Sequence, residues 1–342
     1  MSGHPFRFPG LLLMAKIVLA VGTSHSPLLA SPPEDYPKHA EIDAKGRKLL
    51  DKNGRPCTYG ELLASAPAGL AAQIEKPMLE ARAAQCNAAI ARIGKSIADA
   101  RLDALIVIGD DQNEQFFDDN MPAVLVYWGD TIENRELVMP ADAPAFWRKA
   151  RSQYHEAAGA RSYPVDAKLG LHLIEHLMDA DFDVAHSRRL SKDHGEGHAF
   201  GFVHRRLMDD AIMPIVPVAL NTYFPPNQPR PGRCWRLGQE IGKAVARFPS
   251  DGRVGILASG GLSHFTVDEE LDRAFMSACT EQDGAWLSSV PVTKLNSGNS
   301  EMRNWITTAG AAGDLIVTWQ DYVPCYRSLA GTGCGMGFMV WG

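Results

Sequence analysis

Four short stretches of this chain set histidines and carboxylates where an apolar run stops. Gly22-Thr23-Ser24-His25-Ser26-Pro27 follows the run 17–21, and Asp110-Asp111-Gln112-Asn113-Glu114 follows 104–108 and Gly109. Ser259-Gly260-Gly261-Leu262-Ser263-His264 follows 254–258 and leads to Glu269. The fourth is Asp193-His194-Gly195-Glu196-Gly197-His198, whose glycines permit close backbone approach to a ligand. An imidazole from one strand end and a carboxylate from another, His25 and Glu269, point to a metal site. Two histidine-type groups and one carboxylate with open positions let non-haem Fe(II) bind O2 and a chelating substrate together. The residues alone leave alternatives open. His25 is a hydrogen-bonding loop residue or a ligand, with Pro27 stiffening its turn. The acidic stretch from Asp110 is an N-capped solvated turn or a hard-metal or hydroxyl contact. A histidine of 193–198 suits general-base work near neutral pH.

Other patterns are weaker. His172-Leu173-Ile174-Glu175-His176 matches the inverted zincin pattern within the stretch 168–178 that reads as a helix, but no downstream third ligand stands at a convincing spacing. The glycines of 331–337 lie at the C-terminal end rather than after a first strand, so they read as tight turns packing Phe338 and Trp341. Asn221-Thr222-Tyr223-Phe224-Pro225-Pro226-Asn227 reads as a structural turn or as a rigid wall for an aromatic substrate. His4, His39, His155, His186 and His204 read as surface or supporting residues.

These stretches need a sheet with helices between its strands. Apolar runs at 16–21, 104–108, 123–127, 215–220 and 254–258 read as strands. Amphipathic stretches at 77–101, 142–157, 168–178, 236–247 and 267–277 read as helices, with Asp142 as N-cap and Pro144 in the opening turn of the second. The expected fold class is α/β, a mixed central sheet flanked by helices. Residues 31–66 are polar and turn-rich, an excursion that shapes a pocket entrance. Residues 1–14 read as an unstructured extension before a single catalytic domain over 15–342.

The chain has 342 residues, 45% hydrophobic and 22% charged, with a net charge of −6 and no basic stripe. Nucleic acid and anionic membrane are therefore poor partners, and a small molecule is the better expectation. The six cysteines lack CxxC pairing, so they read as reduced thiols in the cytoplasm. No apolar run is long enough to span a bilayer.

Taken together, the His25, Asp111-Gln112 and Gly260-to-Glu269 stretches, Phe182-Asp183 with Asp193-His194-Gly195, and Pro217 to Pro226 with Arg233-Cys234-Trp235-Arg236-Leu237-Gly238 resemble one family. It is the class III extradiol ring-cleavage dioxygenases, to which the catalytic β subunit of protocatechuate 4,5-dioxygenase belongs. Tyr322, Tyr326-Arg327-Ser328 and Gly331-Thr332-Gly333 look nearest to members acting on 3-O-methylgallate or on the hydroxylated biphenyl of the dehydrodivanillate pathway. The resemblance implies an Fe(II) cofactor, a catecholic, lignin-derived substrate, O2 and a homodimer. It makes His25 and Glu269 metal ligands and His194 the acid/base residue, joined by His264 in catalysis. It puts His198, Tyr223 and Arg233 on the substrate, with Arg233 or Arg236 against a carboxylate. It expects a second histidine ligand where Gln112 stands, so Gln112 binds through its amide oxygen, or Asp111 or Glu114 moves in. That departure keeps two other readings open: a metal-dependent hydrolase or lyase on the same scaffold, and a non-catalytic member without its metal.

Overall fold

The computed structural model describes residues 13–45, 49–191, 194–208 and 211–342. The extension expected over 1–14 lies outside the described residues up to residue 12. Among the described residues nine strands form one sheet: β1 (Lys16–Thr23), β2 (Ala104–Asp110), β3 (Val124–Tyr127), β4 (Ala185–Ser187), β5 (Ile215–Leu220), β6 (Arg253–Ser259), β7 (His264–Thr266), β8 (Val317–Tyr326) and β9 (Thr332–Trp341). Their order is β7-β9-β1-β6-β2-β5-β3-β4, with β8 also paired to β9. Neighbours β1, β6, β2 and β5 are mutually parallel, while β9 and β3 run antiparallel to β1 and β5. This is the mixed sheet expected.

The inner strands read as unbroken apolar runs because both of their faces are covered. Ile106 and Ile108 point to one apolar layer, Leu105 and Val107 to the other. The first layer is closed by α4 (Ala167–Asp179), α6 (Pro231–Val245), α7 (Glu269–Thr280) and α8 (Met302–Ala312). The second is closed chiefly by α2 (Lys76–Asp99), through Leu79, Cys86, Ile90, Ile93 and Ile97, and by α5 (His198–Phe202). In α4, Leu169, Leu173 and Leu177 form a stripe four residues apart, and Asp166 caps the helix by accepting the Leu169 N–H. No helix among the described residues is long and apolar enough to cross a membrane.

Two sequence expectations need correction. The helix expected over 142–157 is α3 (Ala145–Arg151), extended only by a 3-10 turn, Ser152–Tyr154. Pro144, not Asp142, precedes it, and the chain leaves the helix because the Glu156 N–H is drawn to Arg135 O and Asn134 Oδ1. Of the glycines of 331–337 only Gly331 makes the tight turn expected, with φ of 74° and its N–H on Ser328 O; residues 332–337 lie in β9, between β8, β7 and β1. Gly335 and Gly337 fall on one face of that strand, where a Cβ would collide with Asp272 and Leu262. They are there for close packing. The excursion after residue 31 includes α1 (Tyr36–Ala44), tied down by a buried Asp43–Arg327 ion pair with both oxygens engaged.

Candidate metal centre

The four parallel strands β1, β6, β2 and β5 end along one edge of the sheet, where α/β folds hold ligands. His25 lies two residues past β1, Asp110 ends β2, Ser259 ends β6, and Tyr223 follows β5. Two more groups arrive from helix starts: His198 opens α5, and Glu301 immediately precedes α8. His25, Asp110, His198 and Glu301 are all buried, and their potential ligand atoms all lie within 4.8 Å of one another.

Both imidazoles have their tautomers set by neighbours. Ser259 Oγ donates to Ala199 O at 2.7 Å, so it accepts from His25 Nδ1, 3.0 Å away. That leaves the His25 Nε2 lone pair facing Glu301 Oε2 at 3.2 Å. His198 Nδ1 donates to Glu114 Oε2 at 2.7 Å, and its backbone N–H reaches the same carboxylate. His198 Nε2 is buried with no hydrogen-bond partner among the described residues. A carboxylate or hydroxyl that orients an imidazole from behind is the usual support of a metal-binding histidine.

Glu301 is the hub. Oε2 accepts the Gly261 N–H at 2.6 Å and faces His25, while Oε1 accepts from Gln112 Nε2 at 3.2 Å and lies 3.4 Å from His264 Nε2. Burial by itself would raise its carboxyl, but the imidazoles of His264 and His25 outweigh this and hold it well below the usual range. Burial, helped by the charge of Glu301, pushes Asp110 up to about 7. Burial lowers His25 despite Glu301. Burial also opposes the charged forms of His198 and His264, yet Glu114 raises His198 to about 9 and Glu301 raises His264. Glu114, partly buried, is held at about 2 against the effect of desolvation, chiefly by His198 and then by Arg151. Two enclosed carboxylates facing two imidazole nitrogens form a donor set that a divalent cation would neutralise. The residues therefore fit a metal ion.

The structure distributes the expected residues unevenly. His25 belongs to the group. Gln112 borders it, but its amide nitrogen faces Glu301 and Asp110, so it donates to the carboxylates. Asp111 is occupied by the backbone N–H groups of residues 114–116, and Glu114 supports His198. Glu269 is a correction: it opens α7 but points outward, taking Tyr326 OH at 3.0 Å and Arg273 at 3.1 Å. His194 is another, since its Nδ1 bonds Glu114 O and the ring packs near Phe117, outside the cleft. His198, expected on substrate, stands in the group itself. His264 borders the group, with Nδ1 donating to Leu262 O at 2.9 Å. Gly298 makes room for it, because a Cβ there would come within 2.0 Å of the ring. Arg233 lies elsewhere, over the Phe182 ring and bonded to Asp181 O, in a separate surface groove with Arg236. His172 and His176 join α4 to α6 through Ala244 O and Glu240.

Glu301 was missed by sequence reasoning. It sits in the polar run Ser297-Gly298-Asn299-Ser300-Glu301, which reads as a solvated turn. Its signal was the helix that follows: Trp305 to Ala312, Trp-Ile-Thr-Thr-Ala-Gly-Ala-Ala, carries no charge on any side, the mark of a helix buried all round.

His25, His198 and Glu301 line a cleft of about 130 Å³ together with Trp147, Tyr154, Tyr223, Phe265 and Met336, with His39, Arg151 and Arg327 also in its walls. Residues 77–326 match the family described as the catalytic LigB subunit of aromatic ring-opening dioxygenase. The chain belongs to this family. Asp110, His198, His264 and Glu301 lie inside the matched segment, and His25 precedes it. Among curated relatives, a 2,3-dihydroxyphenylpropionate/2,3-dihydroxicinnamic acid 1,2-dioxygenase of Comamonas testosteroni is 29% identical over 212 residues, covering 60% of this chain and 58% of that protein. A protein of the same name from Cupriavidus necator is 39% identical over 111 residues, 31% of this chain and 32% of its own length. A gallate dioxygenase of Pseudomonas putida is 29% identical over 155 residues, 45% of this chain and 43% of its own. The chain thus spans less than two thirds of the length of these relatives.

Proposed function

We propose that this protein is an Fe(II)-dependent extradiol dioxygenase that opens a dihydroxylated aromatic ring with O2. The observation that carries the reading is the pairing of His25 and His198, each oriented from behind to present Nε2, with Glu301 in an aromatic-walled cleft and Asp110 buried within 4.8 Å of their ligand atoms. His25, His198 and Glu301 would hold the iron, with Asp110 as a further carboxylate beside it. Bound iron would supply Lewis acidity toward the ring hydroxyls and an electron path between ring and O2.

The remaining steps fall to the chain's own residues. Tyr223, Trp147 and Phe265 flank the cleft and orient a flat ring. His264, with Nδ1 tied to Leu262 O, is left with Nε2, 3.4 Å from Glu301 Oε1, as the nitrogen to take a phenolic proton and later return it. Glu301 beside it favours the charged imidazolium in between. Arg151, rather than Arg233, faces the cleft and suits an anionic ring substituent, as in the carboxylated substrates for which the relatives are named. Gln112 spaces the two carboxylates by donating to both. The cytoplasm is the setting we propose, since the described cysteines are all unpaired thiols. We also keep a homodimer in the reading, to be checked by light scattering.

The test is anaerobic Fe(II) loading followed by a panel of catechols, gallates and biphenyl diols, reading O2 uptake and the yellow ring-opened product. Stoichiometric iron with no O2 uptake on any member would sink the proposal. Asp110 gives the site a second carboxylate, which suits the alternative of a metal-dependent hydrolase. Tight zinc and hydrolytic turnover would favour that reading.

A further inference from the structure

We infer that Asp272, on α7 and outside the cleft, is a positioning residue that fixes the 260–264 turn and so aims His264 at Glu301. The inference rests on the dioxygenase reading only for the role of His264. Asp272 is fully buried, and no cation pairs with it among the described residues. It takes two hydrogen bonds from one residue: Ser263 N–H donates to Oδ1 at 2.8 Å and Ser263 Oγ to Oδ2 at 2.6 Å. Tyr322 OH, from β8, donates to Oδ2 at 2.7 Å.

Ser263 is held on every side. Its Oγ accepts the Asp268 N–H at 2.8 Å, and its carbonyl accepts the Gly335 N–H at 2.7 Å. Gly335 is bare because a Cβ there would stand 1.9 Å from Asp272 Oδ2. Residues 262 and 264 flank this fixed point. Leu262 O receives His264 Nδ1, and the His264 N–H reaches Asn299 Oδ1 at 2.8 Å. A rotation of Ser263 therefore moves the Leu262 carbonyl and the imidazole together.

A carboxylate buried without a cation is costly, and an apolar side chain would fill the same space more cheaply. What the carboxylate adds is direction: two donors of a single residue on its two oxygens, with the third from β8 fixing the carboxylate in turn. A residue that only filled volume would not need this.

The experiment uses iron-loaded full-length protein at pH 8, above the value of about 7 to which burial raises Asp272. Asp272→Asn should lower kcat on a dihydroxylated aromatic by about 10- to 100-fold, the usual effect of losing a supporting partner. Bound iron and KM should stay within about twofold of wild type, since His264 moves protons and does not hold the ring. Tyr322→Phe, which keeps the carboxylate, should show a smaller loss of the same kind. His264→Gln and the His264→Gln/Asp272→Asn double variant should have equal kcat, because both changes act through one ring. Ring-nitrogen NMR of metal-free protein gives a readout independent of turnover. Wild type should show His264 as one Nδ1–H tautomer, and Asp272→Asn should average its two nitrogens while His25 and His198 stay put. Additive kcat losses, or iron and kcat falling in parallel, would mean a merely structural role and overturn the inference. So would unchanged His264 signals. If wild type turns over no aromatic, the dioxygenase reading fails, and the NMR comparison still decides for or against the positioning role.

Discussion

Glu301 and Glu269 occupy similar places in the chain and opposite places in the molecule. Each stands at the start of a helix, and each neighbours the 260–268 loop in space or in sequence. Glu301 is 2% exposed, with two imidazoles, an amide and a backbone N–H on its oxygens. Glu269 is 36% exposed, with an arginine of its own helix and a tyrosine. The difference lies in what covers each helix. α8 is enclosed on all sides, so its first carboxylate has only the interior to face. α7 buries one stripe through Leu271, Phe275 and Cys279, and residue 269 falls outside it. A strand-to-helix junction supplies a location; the burial of the helix decides whether its first carboxylate faces chemistry or solvent.

The largest effect should follow Glu301→Ala. With the hub gone, iron retention after gel filtration, measured by mass spectrometry, should fall by more than about 100-fold, beyond what loss of a supporting partner causes. Retention of stoichiometric iron would break the comparison outright. His264→Gln should come next: iron kept, kcat lowered by about 10²- to 10⁴-fold, the range for removing a general acid or base. Single-turnover rates on loaded enzyme would check it. Glu114→Gln should weaken iron binding by about 10- to 100-fold, because His198 keeps an acceptor but loses the charge behind it. A competitive chelator titration reads that change.

How far the sequence carried this site follows from the same contrast. The inner strands were legible because an apolar run closed by glycine has few other readings, and His25 and the Asp110 turn came with them. His194 was expected as the acid/base residue and His198 on the substrate, whereas His198 stands in the buried group and His194 outside the cleft. Four residues apart in a glycine-rich stretch, they are told apart only by Glu114, which takes His198 with its carboxylate and His194 with its carbonyl. Glu301 was illegible because its polar neighbours describe a surface turn, while its burial comes from α8 and from Gly261, forty residues back in the chain. β9 was misread because its glycines serve packing against Asp272 and Leu262, a demand visible only once the layers are assembled.

A smaller effect is expected in stability rather than catalysis. Burial raises Asp272 from 3.8 to about 7, against the Ser263 and Tyr322 donors. Between those values the native state keeps a proton that the unfolded chain has released, so this group makes stability fall as pH rises from about 4 to 7. Asp272→Asn should flatten that part of the profile. Urea midpoints of metal-free protein at pH 5 and pH 7.5 check it, and an equal slope in both proteins would count against the assignment.

The smallest effects should be those of Glu269→Ala and Arg233→Ala. Glu269 loses one exposed pair with Arg273 and one tyrosine contact, interactions of the kind that contribute at most about 1 kcal/mol at a surface. Arg233→Ala loses the stacking on Phe182, in a groove that shares no lining residue with the cleft. Iron content, kcat and the KM for a carboxylated catechol should all stay within about twofold of wild type, as for most surface substitutions. Arg151→Ala supplies the contrast, since it removes a cation from the cleft wall and should raise that KM while leaving iron in place. If Glu269→Ala released the metal while Glu301→Ala kept it, burial would be the wrong guide to which carboxylate binds, and the ligand set drawn from it would have to be exchanged.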